Sequence, residues 1–394
     1  MIFGILLTLG SSFGQTFFIS LSAPALIETF GLSNSKWGLI YSSATLISAL
    51  CLSYFGRLLD RVPLMRFSIS VCIGLAVACL ILATAQYVWM VFLAVIGLRL
   101  CGPGLQGLTA STTMARAFAA NRGRALSVAS TGFPLGEILF PPLAVLVLKG
   151  LGWRLSWLVF AGILTIVILP LVRFLLSNTD KLPEALRHFD NKATNPQANS
   201  ENEWNRSELF KDYRFYLILP AYITPAFIAT GFILNQFLIA GEKQWSETLM
   251  ANSFVAFGVC RLAFSLIVGP MIDRWKAWQI FPYYLIPLLV GIVLMIVYSH
   301  ASIAVIYYGM MGVSVGIGSS ISSALWAETY GTRHLASIKS MTMMIAVFSA
   351  AVSPVLFGWL LDHGISFNSI FQVSTVVILM FVLLSIPGCK NYQK

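Results

Sequence analysis

The chain has 394 residues, of which 58% are hydrophobic and only 10% are charged, and its formal net charge is +10. Soluble domains carry about 25% charged residues, so this chain has too few polar groups to cover a water-soluble core. Its mean hydropathy of +0.82 excludes a soluble globular protein and predicts one that crosses a membrane many times.

Apolar stretches of about 20 residues, long enough to cross a bilayer, recur along the whole chain. The first begins at Ile2, has no basic segment before it and is longer than the apolar core of a signal peptide, so we expect it to be retained. We predict an all-α membrane protein with twelve transmembrane helices, at residues 2–26, 37–56, 67–85, 88–117, 125–148, 154–175, 215–240, 247–268, 278–298, 302–326, 335–360 and 367–387.

One long polar stretch, residues 176–214, interrupts this pattern. It is rich in Asn and charged residues, which is typical of a flexible linker. We expect an N-terminal six-helix half at 1–175, a cytoplasmic linker at 176–214 and a C-terminal six-helix half at 215–394.

The distribution of basic residues predicts the orientation. If both termini are cytoplasmic, most of the 25 Lys and Arg residues fall in cytoplasmic loops, as the positive-inside rule requires. The positive net charge therefore reflects the membrane topology and does not indicate a nucleic-acid-binding surface. We predict a multi-pass protein of the inner (cytoplasmic) membrane that functions as a monomer.

The two halves repeat short motifs at a nearly constant interval, which indicates duplication. "GRLLDR" (56–61) is echoed by "GPMIDR" (269–274), and "GPG" (102–104) by "GIG" (316–318). In duplicated carriers the substrate site is expected at the repeat interface near the bilayer midplane. The Gly and Pro residues in "RLCGPG" and "GFPLGEILFPP" predict close packing and bends within spans.

These motifs resemble those of the major facilitator superfamily over essentially the whole chain. The resemblance implies alternating-access transport between two six-helix halves, with spans 1, 4, 7 and 10 lining the cavity. The residues that carry it are Gly56, Asp60, Arg61, Gly269, Asp273, Arg274, Arg99, Gly102, Gly104, Gly132, Gly136, Pro141 and Pro142. Within the superfamily, Arg261 lies deep in span 8 and in this respect resembles an arginine of the oxalate/formate antiporter and monocarboxylate transporter branch. In that branch the arginine contacts the substrate carboxylate.

Three charged residues are expected near the bilayer midplane: Arg99 in span 4, Glu137 in span 5 and Arg261 in span 8. Inserting each costs about 2.5–3.5 kcal/mol, so each must be paired or face a wet cavity. Chain order favours an Arg99–Glu137 pair, which leaves Arg261 for an anionic substrate. Two alternatives stay open: that pair only holds spans 4 and 5 together, or Arg261 contacts backbone carbonyls and polar side chains.

Proton coupling, further substrate contacts and gating are assigned to the following polar residues. Glu137 is the one carboxyl group at this depth, so we expect it to carry a coupling proton. Gln15, Asn235 and Gln236 lie in cavity-lining spans and become further substrate-binding candidates beside Arg99 and Arg261. At the cytoplasmic ends of spans, we expect gating and conformational roles for Asp60, Arg61, Asp273, Arg274, Glu328 and Arg333.

Competing classes of protein lack supporting signals. "GVSVG" (312–316) matches the G-x-S-x-G pattern of serine hydrolases, but it lies inside apolar span 10, where a small-residue packing face explains it. No nucleotide-binding motif is present, no metal or cofactor is suggested, and twelve spans with duplication argue against a channel or receptor.

The sequence therefore predicts a non-enzymatic secondary active transporter of a small carboxylate-bearing organic anion, coupled to protons by symport or antiport. Two alternatives remain: a carrier of a larger polycarboxylate such as a carboxylate siderophore, and a multidrug-type efflux carrier.

Overall fold

The computed structural model describes residues 1–118, 122–177, 209–331 and 335–390 of the chain. These residues are almost entirely helical, and no β-strand occurs among them. They belong to two compact units, unit 1 (Met1–Ala193) and unit 2 (Thr194–Lys394). Most of the predicted linker, residues 178–208, lies outside the described residues, and the predicted domain boundaries stay predictions.

The described residues of unit 1 form ten α-helices, several of them joined end to end by short 3₁₀ or π-helical turns. The turns are Ser11–Gly14, Ser20–Ser22, Gly56–Asp60, Leu100–Gln106 and Leu164–Ile168. The described helices are α1 (Ile2–Gly10), α2 (Thr16–Ile19), α3 (Ala23–Phe30), α4 (Asn34–Phe55), α5 (Leu64–Ala83), α6 (Val88–Arg99), α7 (Gly107–Ala117), α8 (Arg122–Ser130), α9 (Gly132–Ile163) and α10 (Leu169–Ser177).

Unit 2 has longer helices with fewer interruptions. Its described helices are α11 (Tyr213–Leu234), α12 (Gln236–Glu242), α13 (Glu247–Trp275), α14 (Ala277–Ile280), α15 (Ile286–Val297), α16 (Ser302–Tyr330), α17 (Leu335–Asp362) and α18 (Phe367–Lys390), with a 3₁₀ turn at Phe281–Tyr283.

Helix starts follow local capping chemistry. The Ser33 hydroxyl accepts from the Lys36 N–H at the start of α4, and the Ser246 hydroxyl accepts from the Leu249 N–H at the start of α13. The Asp212 carboxylate accepts from the Arg214 N–H at the start of α11. Each side chain satisfies a backbone donor that has no partner within the helix.

The number of spans depends on how one bent helix pair and one glycine kink are counted. By length and composition, ten described helices can cross a bilayer, or eleven if the bent pair Ile2–Gly14 and Thr16–Phe30 is one span. One of them, Arg124–Ser177, has 54 residues and would be about 81 Å long if straight, against about 30 Å of hydrocarbon. It turns at Gly152, whose φ of 73° favours glycine. Counting its two parts separately gives the twelve of the sequence prediction, which stays a prediction.

The cores of the two units are built differently. In unit 1, the broken first span packs between the fourth and fifth spans, and α5 packs on α6 and α9. In unit 2, the most extensive packing joins α13 to α16, while α11 packs on α17 and α18. The first span of each unit is thereby held inside its own bundle, which brings the polar residues of that span against neighbouring helices.

Candidate functional site

The first span is interrupted at Gln15. The 3₁₀ turn Ser11–Gly14 ends there, Gln15 has extended backbone angles (φ −76°, ψ 154°), and the chain bends by 41° before α2 begins. Gln15 itself is half-buried. An interruption of this kind leaves backbone groups without helical partners in the middle of a span, which is tolerated only inside protein or beside a wet cavity.

Glycine contacts hold the fourth span against this interruption. A side chain at Gly14 would overlap the Leu98 carbonyl, and a Cβ at Gly102 would lie 2.9 Å from Gly14 Cα and 3.0 Å from the Ser11 oxygen. The fourth span itself passes through a π-helical turn, Leu100–Gln106, around Pro103. This confirms the expectation that the Gly and Pro residues of "RLCGPG" serve close packing and bending.

Arg99 precedes that turn, and its guanidinium faces the interruption. Nη1 donates to the Gly14 carbonyl at 3.3 Å, and the guanidinium lies 5.6 Å from the ring centroid of Tyr41. Its Nε is buried and donates no hydrogen bond. The Tyr41 hydroxyl is hydrogen-bonded to Thr16 at 2.6 Å, so both contacts of Arg99 belong to the frame around the break.

The expected Arg99–Glu137 ion pair is not formed. Among the described residues, the contacts of Arg99 are with the Gly14 carbonyl and the Tyr41 ring, and neither involves a carboxylate. The prediction from chain order was wrong because Arg99 points from the fourth span toward the first and second spans. The alternative that this pair merely holds spans 4 and 5 together is wrong for the same reason.

Glu137 lies in α9 and is 3% exposed. It has an interaction of its own in the structure, so it is not an isolated charge. Its neighbour Gly136 packs so closely on the first span that a Cβ there would overlap the Ser12 hydroxyl. Glu137 is therefore adjacent in sequence to the point where the fifth span meets the turn that precedes Gln15.

Unit 2 contains a second interrupted span, which breaks at Asn235 between α11 and α12 (φ −102°, ψ 17°). The Asn235 side-chain amide donates to the Gly231 carbonyl at 2.8 Å, and the Gln236 oxygen accepts from the Tyr308 hydroxyl at 3.1 Å. Asn235 is 5% exposed and Gln236 is fully buried. Both amides thus support the break in the seventh span.

Arg261 is half-buried in α13, where that helix crosses α16 at short range. A Cβ at Gly316 would lie 2.6 Å from the Arg261 carbonyl oxygen, and one at Gly312 would overlap the Phe257 carbonyl. The backbone of Arg261 is therefore fixed by a glycine face. Arg261 also has an interaction within the protein, and its assignment to an anionic substrate stays a prediction.

The "GVSVG" stretch is explained by the same crossing. Gly312 and Gly316 form the contact face, and the buried Ser314 hydroxyl accepts from the Leu288 N–H at 2.9 Å. Leu288 is in the first turn of α15, where backbone N–H groups have no helical acceptor. The prediction of a packing face is confirmed, and the serine caps a neighbouring helix.

The residues expected to gate transport lie at span ends. Glu328 accepts from the Ala277 N–H at 2.9 Å and from the Trp278 N–H at 3.4 Å, so it caps the short helix α14. Arg61, Asp273 and Arg274 are exposed, and Arg274 lies 5.1 Å from the Trp275 ring centroid. Asp60 ends the 3₁₀ turn after the second span, but its side chain lies outside the described part, as does Arg333.

Two groups of side chains were missed by the sequence analysis. Tyr41 was not singled out as a site residue, although its ring is the surface that Arg99 faces. Asp212 is buried, accepts from the Tyr330 hydroxyl at 3.1 Å and lies 4.0 Å from Arg214 Nε. An Asp just before an apolar run is a helix-start signal, so the capping role of Asp212 was predictable, but its contact with Tyr330 was not.

Comparison with known proteins places this arrangement in context. The model of the Major Facilitator Superfamily matches residues 4–241 and 223–388. Two similar solved structures are of a bacterial homologue of the human lysosomal transporter Spinster. The inward-facing unoccupied form has a TM-score of 0.73 at 13% identity, covering 99% of this chain and 96% of that one. The inward-facing occupied form has a TM-score of 0.69 at 14% identity, covering 99% and 95%. At this identity the likeness shows the fold alone, and no curated protein sequence matches the chain.

Proposed function

Because this chain belongs to the major facilitator superfamily and is a membrane transporter, we propose that it is a proton-coupled secondary carrier of a small organic anion bearing a carboxylate. The proposal includes the location and orientation that the basic residues favour: a monomer in the cytoplasmic membrane with both termini inside. It does not depend on the direction of transport, since symport and antiport use the same binding groups.

The observation that carries the proposal is the state of Arg99. A guanidinium has five N–H donors in a planar fork. In this structure one of them reaches a carbonyl oxygen at 3.3 Å and Nε is buried without an acceptor. A carboxylate matches that fork with two parallel hydrogen bonds and supplies the negative charge that the contacts of Arg99 lack.

Other residues have supporting roles in the proposed site. Arg261, a cation in the eighth span, is assigned to the substrate because its backbone is fixed by Gly316 at mid-helix. Gln15 lies at the break that Arg99 faces. Asn235 and Gln236 rank below these residues, because their amides already bond within unit 2. We also assign gating roles to Asp60, Arg61, Asp273, Arg274, Glu328 and Arg333. Of these, Glu328 is held in place because it accepts a hydrogen bond from the Ala277 N–H.

Carboxylate recognition by Arg99 is tested by replacing the residue and measuring equilibrium binding. A thermal-shift series of mono-, di- and tricarboxylates on the purified protein first selects the probe. Arg99→Gln should then weaken binding of that probe by about 2 kcal/mol, close to 30-fold, since hydrogen bonds to charged groups are worth about 1.5–3 kcal/mol. Arg99→Lys retains the positive charge but lacks the planar fork of donors. Its affinity for the probe should therefore lie between those of the wild type and Arg99→Gln.

Arg154→Gln is the matched control for this experiment. Arg154 also donates to one backbone carbonyl, of Ala85 at 3.0 Å, and lies over one aromatic ring, of Trp153 at 4.2 Å. It differs in being exposed. Equal loss of affinity in both variants, or wild-type affinity in Arg99→Gln, would contradict the proposed site. A series in which only large polycarboxylates or cationic amphiphiles bind would favour the siderophore or multidrug alternative.

Proton coupling is assigned to Glu137, because a buried ionisable group inside a span is typical of proton relays. Glu137→Gln cannot release a proton. In reconstituted vesicles this variant should exchange substrate with its own unlabelled form but fail to accumulate it under an imposed pH difference. Glu28→Gln, an exposed carboxylate of the same unit, is the control and should accumulate substrate normally. Uphill accumulation by Glu137→Gln would show that the coupling site lies elsewhere.

A further inference from the structure

A separate cavity of about 510 Å³ lies within unit 2, among the helices α11, α17 and α18. None of the residues assigned to substrate, coupling or gating lines it. It has the size of a ligand pocket, since such pockets range from about 300 to 1,000 Å³. It therefore requires an explanation apart from the transport site.

The cavity has a buried floor and an apolar rim that faces away from the unit. Phe357 and Ile378 lie on the floor at 2% and 0% exposure, whereas Val373 and Leu356 on the rim are 64% and 41% exposed. The three helices have the length and composition of membrane spans. The opening is thus continuous with the outer surface of apolar helices that a bilayer surrounds.

The lining offers no charged group to a ligand. No Asp, Glu, Lys, Arg or His belongs to it. Its hydroxyl groups include that of Thr224, which donates to the Pro220 carbonyl at 2.7 Å, and that of Ser369, which bonds to Ser366 at 3.2 Å. Those two hydroxyls are satisfied within the protein, so they leave the walls apolar toward an occupant.

The dimensions favour a single hydrocarbon chain. Along α18 the lining runs from Ser369 to Phe381, which corresponds to about 18 Å of helix rise. One leaflet contributes about half of the 30 Å hydrocarbon thickness, or about 15 Å, which is close to this length. A helix about 10 Å wide and 18 Å long would need about 1,400 Å³, far more than the cavity provides.

From this geometry we infer that the cavity holds one acyl chain of a membrane phospholipid, with the headgroup at the end near Ile365 and Ser369. A phospholipid is favoured over a free fatty acid, because the walls contain no cation to bind a carboxylate. Burial of the chain against Phe357 and Ile378 supplies the affinity, and the bilayer supplies the ligand at high local concentration.

The test is to fill the floor of the cavity with a larger side chain and to measure how much phospholipid remains bound. Ser374 is buried on the floor, so Ser374→Phe places a ring where the chain lies; Val376→Phe, on the exposed side of the same helix, is the control. Native mass spectrometry of the full-length protein in detergent, with added palmitoyl-oleoyl phosphatidylethanolamine, measures occupancy. Ser374→Phe should reduce it by about tenfold or more, because displacing even two buried CH₂ groups weakens binding to that extent. Wild type and Val376→Phe should keep one tightly held lipid, which should also raise their melting temperatures.

Ser349→Phe fills the cavity from α17 and replaces Ser374→Phe if that variant elutes as an aggregate. Equal lipid occupancy in filled and control variants would overturn the inference, as would binding of oleic acid in place of the phospholipid. So would a dimer that dissociates when the cavity is filled, since the occupant would then be a second copy of the chain. Carboxylate affinity, measured on the same samples, reports on the transport site independently.

Discussion

At the scale of single residues, Arg99 shows how a half-buried charge is stabilised without a counter-charge. Arg99 has a carbonyl dipole at 3.3 Å and the face of an aromatic ring at 5.6 Å. Both are attractive to a cation, but each is weaker than an ion pair in a medium that excludes water. Arg99 is consequently held in place while its capacity for a carboxylate is largely unused.

Arg261 allows a second prediction at this scale. Arg261→Lys preserves the charge but loses the two-donor fork, so it should weaken binding of the selected carboxylate, and Arg261→Ala should weaken it by about 2 kcal/mol or more. Isothermal titration on folded protein is the measurement. Because Arg261 has an interaction in the protein, melting temperatures must be compared in parallel. Wild-type affinity in Arg261→Ala would remove this residue from the site.

At the scale of helices, the dominant feature is the presence of glycine residues where helices cross. Inside a bilayer the hydrophobic effect does not drive helices together. Their association depends instead on close van der Waals contact, which small residues permit. Gly312 and Gly316 bring α16 against the backbone of α13, and Gly14 and Gly102 bring the fourth span against the first. In unit 2 the glycine contact falls on the backbone of Arg261, and in unit 1 it falls on the carbonyl of Leu98, the residue before Arg99.

Gly316→Ala tests the crossing of α13 and α16. Its Cβ would approach the Arg261 carbonyl oxygen to 2.6 Å, and backbone cannot rotate away as a flexible side chain can. We expect a loss of about 1–3 kcal/mol in the free energy of unfolding, seen as a lower melting temperature.

Gly241→Ala, in α12 of the same unit, is the control for this change. A Cβ there meets no atom within 4 Å, so the substitution should be neutral or stabilising by up to about 1 kcal/mol. A melting temperature for Gly316→Ala at or above that of Gly241→Ala would show that the two helices can separate without cost.

At the scale of the whole molecule, the chain consists of two units with related motifs and interrupted first spans. The breaks at Gln15 and Asn235 occur in the corresponding span of each unit. Such discontinuous helices expose backbone dipoles and polar side chains in mid-membrane, where carriers form their binding sites. The motifs "GRLLDR" and "GPMIDR" lie at span ends, where we propose that they bias conformational exchange.

Asp273→Asn is the prediction that belongs to this scale, with Asp60→Asn as its counterpart in unit 1. Asp273 is exposed at the end of α13, so its removal should change the transport rate while leaving equilibrium carboxylate affinity within about twofold, a difference below 0.5 kcal/mol. Glu247→Gln, an exposed carboxylate at the other end of the same helix, should change neither quantity. Loss of binding in folded Asp273→Asn would place this residue in the site.

The sequence by itself determined the class of protein, its helical architecture and the residues to examine. Hydropathy and the cost of a buried charge are properties of local composition, so they identify spans and single out Arg99, Glu137 and Arg261 without a structure. The motifs around Gly56, Gly102 and Gly269 likewise indicated the superfamily, because they recur at fixed places in the chain.

Only the tertiary structure decided which groups these residues meet. One residue of helix turns a side chain by about 100°, so adjacency in chain order does not tell which neighbouring helix a side chain faces. Arg99 therefore contacts Gly14 and Tyr41, and Ser314 caps α15. The cavity beside Ile378 forms where α11 packs against α17 and α18, which are distant from it in the chain, so no local pattern encodes it.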